Sequence, residues 1–123
     1  GKTAVPELVL KTVNPLGLPS LPTLTSRTKS LINADTAATM ADMMAKNVTD
    51  TYGASRFPNM DICAKSGTAE VGGGKAPHAW FAGFLRNEDA PYAFVVLVEN
   101  GGSGADVAGS VAAKVLDALV NGY

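Results

Sequence analysis

Along this chain the apolar residues change their spacing, and each change marks a different kind of element. No spacing holds over the first thirty residues. Four of the seven prolines fall there, Pro6, Pro15, Pro19 and Pro22, beside turn-forming Asn14 and Gly17, so regular structure is expected to be sparse. A short strand at Glu7 to Val13 fits, followed by an extended connector from Asn14 to Ser30, and residues 1–32 read as one connecting stretch. From Asn33 the spacing turns helical: Ala37, Met40, Met43, Met44 and Val48 recur at three- and four-residue steps. Asn33 or Asp35 can cap the amide groups of that helix, and Thr49-Asp50-Thr51-Tyr52-Gly53 reads as its exit. The methionines read as core packing, because a flexible thioether fills irregular gaps and nothing beside them suggests a metal.

Three strand-like segments follow, Asp61 to Val71, His78 to Leu85 and Tyr92 to Glu99. Their links, Gly72-Gly73-Gly74-Lys75 and Arg86-Asn87-Glu88-Asp89, are short and turn-like, which predicts antiparallel hairpins. Tyr92 to Val98 is apolar almost without interruption, a pattern expected of a central strand or one covered on both faces. After Asn100-Gly101-Gly102-Ser103-Gly104, apolar residues return at Val107, Ala108, Val111, Ala112, Val115, Leu116 and Leu119, a helical stripe that ends at Asn121-Gly122. That stripe needs a surface, and the sheet is the only one large enough. The fold class is therefore α+β, an antiparallel sheet with packed helices, with residues 33–123 as its α+β portion.

Composition narrows the function more than it names it. With 123 residues, 46% hydrophobic and 17% charged, the chain has the balance of one globular domain. A net charge of −1 offers no footprint for a polyanion, so no nucleic-acid partner is expected. The longest apolar runs fall far short of the roughly 20 residues that a bilayer-spanning helix needs, and Gly1-Lys2-Thr3-Ala4-Val5 does not read as a secretion signal. The start reads as cut from something longer. Cys63, the single cysteine, rules out an internal disulfide and sits between Ile62 and Ala64 as a small core residue.

The chemistry gathers at Lys65-Ser66-Gly67-Thr68, inside the first of the three strands and followed by Ala69-Glu70. K-T-G is an element of active-site serine penicillin-recognising enzymes, with Ser66 standing here at the Thr position. Around it lie Ala64 to Val71, then His78-Ala79-Trp80-Phe81-Ala82-Gly83-Phe84, then Phe94-Val95-Val96-Leu97-Val98-Glu99-Asn100-Gly101-Gly102. In order and spacing this resembles the C-terminal part of the class B penicillin-binding protein transpeptidase domain, and the resemblance runs from Asn33 to Val120. It implies a bacterial D,D-transpeptidase that cross-links peptidoglycan through a serine acyl-enzyme and is acylated by β-lactams. The parent would be membrane-anchored, with this domain at the extracytoplasmic face. It implies further that stem peptide lies along the motif strand, with Gly67 allowing close backbone approach. The N–H of Thr68 would be one oxyanion-hole donor, the hydroxyls of Ser66 and Thr68 would hold the substrate carboxylate, and Lys65 would help to move protons. No cofactor and no metal are implied.

The family also needs S-x-x-K, which carries the nucleophile and its base, and S-x-N. The one literal S-x-x-K, Ser26-Arg27-Thr28-Lys29, lies in the irregular connector, with only 35 residues between Lys29 and Lys65, too few for a helical lobe. It is rejected, and no S-x-N occurs. The chain is thus expected to be an inactive portion of the enzyme. In the family fold, N-terminal strands pair with the strand equivalent to Tyr92 to Val98, so the resemblance implies a bare apolar edge and a homo-oligomer formed through residues 92–98. Two other readings remain: a serine β-lactamase or β-lactam sensor with the same motif, and a non-catalytic module that captures peptides by strand addition. His78, the only histidine, has no G-x-S-x-G elbow and reads as strand-edge packing. Trp80, Phe81 and Phe84 read as sheet core or cleft wall, and Gly101-Gly102-Ser103-Gly104 as a flexible link.

Overall fold

The computed structural model describes residues 2–4, 12–20 and 28–122. The chain divides into two compact units, Gly1–Thr39 and Met40–Tyr123.

In the first unit, β1 (Lys2–Ala4) pairs antiparallel with β4 (Thr28–Ser30), and β2 (Thr12–Val13) with β3 (Pro19–Ser20). The β2–β3 turn is held by Asn14, whose Oδ1 accepts from the N–H groups of Leu16 and Leu18, each at 3.0 Å. Of the strand expected at Glu7 to Val13, Thr12–Val13 is strand and Glu7 to Lys11 lie outside the described residues. Asn33 caps α1 (Ala34–Asn47), its Oδ1 accepting from Thr36 N–H at 2.7 Å, while Asp35 sits in the first turn. One π-helical turn, Val48–Tyr52, extends the helix. Gly53 closes it, donating to Val48 C=O at 2.9 Å with φ +86, a conformation that disfavours any side chain.

The second unit is built on a three-stranded antiparallel sheet in the order β5 (Ile62–Ala69), β6 (His78–Leu85), β7 (Ala93–Val98). The register runs from Ile62 opposite Leu85 to Ala69 opposite His78, and from Ala79 opposite Val98 to Phe84 opposite Ala93. Because side chains alternate across a strand, Ile62, Ala64, Ala79, Phe81 and Leu85 share one face. They form the core with Val48, Tyr52, Phe57, Ala108, Ala112 and Leu116. Phe81, fully buried, is the hub: Tyr52 meets it edge-on at 5.1 Å between centroids, and Phe57 and Phe94 stack at 6.0 and 6.1 Å. Burial of such a ring is worth about 1.5–3 kcal/mol, and each aromatic pair adds about 0.5–1.5 kcal/mol. Helix α2 (Gly109–Val120), entered through a π-helical turn at Gly104–Ala108, lays Ala112 and Leu116 on this face. Ser103 starts that turn by accepting from Asp106 N–H and donating to Asp106 Oδ2, at 3.2 and 2.7 Å. The α+β architecture and its hairpins agree with the expectation.

Three expectations about burial do not hold, the first on α2, where Val111, Val115 and Leu119 of the expected stripe are exposed while Ala112 and Leu116 are buried. Met40 and Met43 are 53% and 64% exposed, whereas Ala41, Met44 and Ala45 are half-buried and Val48 is buried. Three- and four-residue spacing describes adjacent stripes on a helix, and only the stripe through Ala41, Met44 and Val48 meets the rest of its unit. Nor is β7 covered on both faces: Phe94, Val96 and Val98 are half-buried, while Val95 and Leu97 are exposed, and among the described residues β7 is an edge strand. Its second apolar face follows from composition alone. Nothing among the described residues covers it.

Candidate active site

Lys65-Ser66-Gly67-Thr68 occupies the middle of β5, whose partner β6 lies on one side only. In an antiparallel ladder the backbone groups of alternate residues point toward and away from the partner. Ala64 C=O accepts from Asn47 Nδ2 at 3.2 Å and Ser66 N–H donates to the Tyr52 phenol at 2.8 Å, so the even-numbered residues face outward. The same phase turns Thr68 N–H and C=O to the open edge, and among the described residues Thr68 N–H has no acceptor. The exposed Lys65 side chain folds along this edge, Nζ donating to Ser66 C=O at 2.8 Å. A backbone donor and an ammonium group thus lie side by side on a strand edge that is open at Thr68, its outward groups at Ala64 and Ser66 being engaged by Asn47, Tyr52 and Lys65.

Side chains of the motif divide between the two faces. Ser66 and Thr68 project to the core face, Lys65 and Gly67 to the other. Ser66 is half-buried, and its Oγ accepts from the Tyr52 hydroxyl at 2.9 Å. Thr68 is exposed, with Oγ1 accepting from Gly104 N–H at 3.4 Å. A Cβ on Gly67 would meet Trp80 Cβ at 3.3 Å, so this glycine permits a tight cross-strand approach as well as an open edge. Gly104 is needed for a closer reason: a Cβ there would collide with the carbonyl oxygens of Gly67 and Trp80. The glycine-rich segment read as a flexible link therefore ends in a buried residue pressed on the back of the motif strand.

Tyr52 is the site residue that sequence reading missed. It lies 14 positions before Ser66, in a stretch that signalled only a helix exit, and no spacing rule joins the two. Burial opposes ionisation of its phenol, but hydrogen bonds with Ser66, the Asn47 amide and the nearby Lys65 charge together hold it below the usual value. His78 Nδ1 accepts from Asn100 N–H at 2.9 Å, which ties the start of β6 to the chain leaving β7, at the end of the hairpin away from its turn. Phe81 is core, whereas Trp80 is 37% exposed on the opposite face. Cys63 is buried, its thiol donating to Ala41 C=O at 3.3 Å, and burial pushes that thiol up. Of Ser26-Arg27-Thr28-Lys29, Thr28 and Lys29 lie in strand β4 and not at a helix start, and the first two residues are outside the described set.

The far end of β5 carries a different cluster. Arg86 holds both carboxylate oxygens of Asp61 at 2.8–3.0 Å and Asp42 at 2.9 Å, which raises its already high pKa further. A cavity of about 280 Å³ opens beside it, lined by Val48, Phe57, Met60 and Ile62. The guanidinium is engaged by two carboxylates, and Lys46, which also lines the cavity, is paired with Asp50 at 2.7 Å, so the cluster leans to negative charge.

An antiparallel sheet bearing K-S-G-T on its open strand, backed by a C-terminal helix, defines the penicillin-recognising class of serine enzyme fold. Comparison with known proteins narrows the class. Residues 1–120 match the family described as the penicillin binding protein transpeptidase domain. The peptidoglycan D,D-transpeptidase PbpA of Mycolicibacterium smegmatis is 35% identical over 77% of this chain, and PbpA of Mycobacterium tuberculosis 32% over 74%. The penicillin-binding protein A of M. tuberculosis, in an imipenem acyl-enzyme complex, superposes with a TM-score of 0.80 at 30% identity, covering 98% of this chain and 27% of that one. The chain belongs to the penicillin-binding protein transpeptidase domain family. It spans 20–21% of the length of these curated relatives.

Proposed function

We propose that this chain forms the sheet side of the acyl-transfer cleft of a D,D-transpeptidase that cross-links peptidoglycan and is acylated by β-lactams. The observation that carries the reading is the open edge of β5, where Thr68 N–H and the Lys65 ammonium lie together. In this reading a stem peptide adds along β5 as a further strand, and Thr68 N–H is one oxyanion donor. The other donor is the amide of a nucleophilic serine on polypeptide outside this chain. Lys65 supplies positive charge beside that serine and helps to move its proton. Ser66 and Thr68 receive the substrate carboxylate, with Gly67 keeping the approach clear. Association of the PbpA relatives with peptidoglycan synthesis supports a parent protein at the extracytoplasmic face of a bacterial cytoplasmic membrane. Among the described residues no helix is long and apolar enough to cross a membrane.

Fluorescent penicillin tests this at two levels. The parent protein should be labelled covalently and the isolated 123 residues should not. An unlabelled parent would end the transpeptidase reading. Labelling of the isolated chain would reinstate Ser26 as a nucleophile. For the isolated chain we propose self-association through residues 92–98, supported by an edge strand with Val95 64% and Leu97 44% exposed. Sedimentation at high concentration should show species larger than a monomer. A single monomeric boundary would count against it.

A further inference from the structure

Tyr52 grips a single residue of the motif strand with both functions of its phenol. The oxygen accepts Ser66 N–H at 2.8 Å, and the hydroxyl donates to Ser66 Oγ at 2.9 Å. A phenol has one hydrogen, and giving it to Ser66 Oγ makes that serine the acceptor of the pair. The hydrogen of the Ser66 hydroxyl must then point elsewhere. Ser66 is half-buried, and among the described residues no acceptor receives that hydrogen. Nor can the phenol drift. Tyr52 as a whole is only 7% exposed, its ring stands edge-on to Phe81 at 5.1 Å, and it ends a π-helical turn closed by Gly53.

We propose that Tyr52 is a positioning residue: by accepting Ser66 N–H and donating to Ser66 Oγ, it fixes the serine rotamer and turns the serine hydrogen toward the carboxylate of the acyl donor or β-lactam. This rests on the function proposed above and adds to it a residue from outside the motif. The competing role is a plain brace, in which the hydrogen bonds only hold β5 in place. A brace would serve every ligand alike, whereas a positioned hydroxyl serves those that carry a carboxylate.

That difference sets the experiment, made in the parent protein. Second-order acylation rates are measured for a penicillin as the free acid and as its methyl ester, in wild type, Tyr52→Phe, Ser66→Ala and the double variant. Tyr52→Phe keeps the ring on Phe81 and removes only the hydroxyl. We expect acylation by the acid to fall about tenfold, the effect of misdirecting one charge-assisted hydrogen bond, while the ester rate holds. The acid-to-ester ratio should shrink similarly in Ser66→Ala, with no further change in the double variant. An unchanged ratio in Tyr52→Phe, whether neither rate moves or both fall together, overturns the positioning role. If wild type itself is not acylated, the proposed function fails and this inference with it. A labelled wild type with an unaltered ratio removes Tyr52 alone.

Discussion

Replacing Gly104 by alanine puts a methyl carbon where the backbone of two strands already lies. Its Cβ would overlap the carbonyl oxygens of Gly67 and Trp80 and approach the carbonyl carbon of Gly67 at 3.0 Å. These are main-chain atoms of a paired ladder, so no rotamer change relieves the overlap. To restore an ordinary carbon–oxygen separation, the turn at Gly104 must retreat by about 1 Å. That movement stretches the bond from Gly104 N–H to Thr68 Oγ1, already 3.4 Å long, and disturbs the Ser103–Asp106 cap behind it. Overpacking of this kind costs about 1–3 kcal/mol, and backbone-on-backbone contact puts Gly104→Ala at the upper end. Gly109, five residues on, is the control. A Cβ there would meet the Phe81 ring at 3.4–3.5 Å and Arg56 at 3.5 Å, ordinary contact, inside helical backbone. Alanine is favoured over glycine in helix by up to about 1 kcal/mol, so Gly109→Ala should be neutral or stabilising. Urea denaturation and thermal melting of the parent protein read both signs. Acylation by fluorescent penicillin should fall in Gly104→Ala and hold in Gly109→Ala. The steric reasoning is refuted if Gly104→Ala melts with wild type, or if the two substitutions destabilise alike.

Phe81→Ala removes the hub of three aromatic contacts from a fully buried site and should cost about 3–5 kcal/mol, measured by denaturant titration; a loss under about 1 kcal/mol would show that the core collapses around it. The Cys63 thiol, raised by burial, contributes its stability below the unfolded thiol pKa and loses it as pH rises through the higher folded value. Stability should therefore decline above about pH 8.5, the usual thiol value, and Cys63→Ala should lack that part of the decline; equal alkaline slopes would contradict it. Iodoacetamide should likewise spare Cys63 in the folded parent at neutral pH and alkylate it after denaturation. Lys65→Ala should lower penicillin acylation by ~10²-fold or more with little change in melting, because its exposed ammonium makes one bond, to Ser66 C=O. Wild-type acylation by that variant would remove Lys65 from the proton transfer.

Much of this site was legible because its signals are local. The hairpins of β5, β6 and β7 follow from apolar runs broken by Gly72-Gly73-Gly74 and Arg86-Asn87-Glu88-Asp89, and the strands lie within two residues of where those breaks put them. Asn33 announced α1 because a cap bonds three residues ahead. The methionine stripe misled for the converse reason. Periodicity states that a helix has an apolar face but not which neighbour exists to cover it, and Met40 and Met43 have none among the described residues. The run Tyr92 to Val98 misled in the same way, since composition cannot distinguish a strand covered on both faces from an edge that awaits a partner.

Amino-acid order alone determined the helix from Ala34, the three strands β5, β6 and β7 and the four residues that carry the motif, because these depend on neighbours a few positions apart, whereas strands β1, β3 and β4 fall inside residues 1–32, which read only as a connector. Tertiary structure alone decided that Tyr52 holds Ser66, that Gly104 presses on Gly67, and that Thr68 N–H points outward. Those contacts join residues 14 and 37 positions apart, and an outward amide depends on which side of β5 gained its partner strand. Pairing and packing set such relations, and they follow from where the sheet and helices meet.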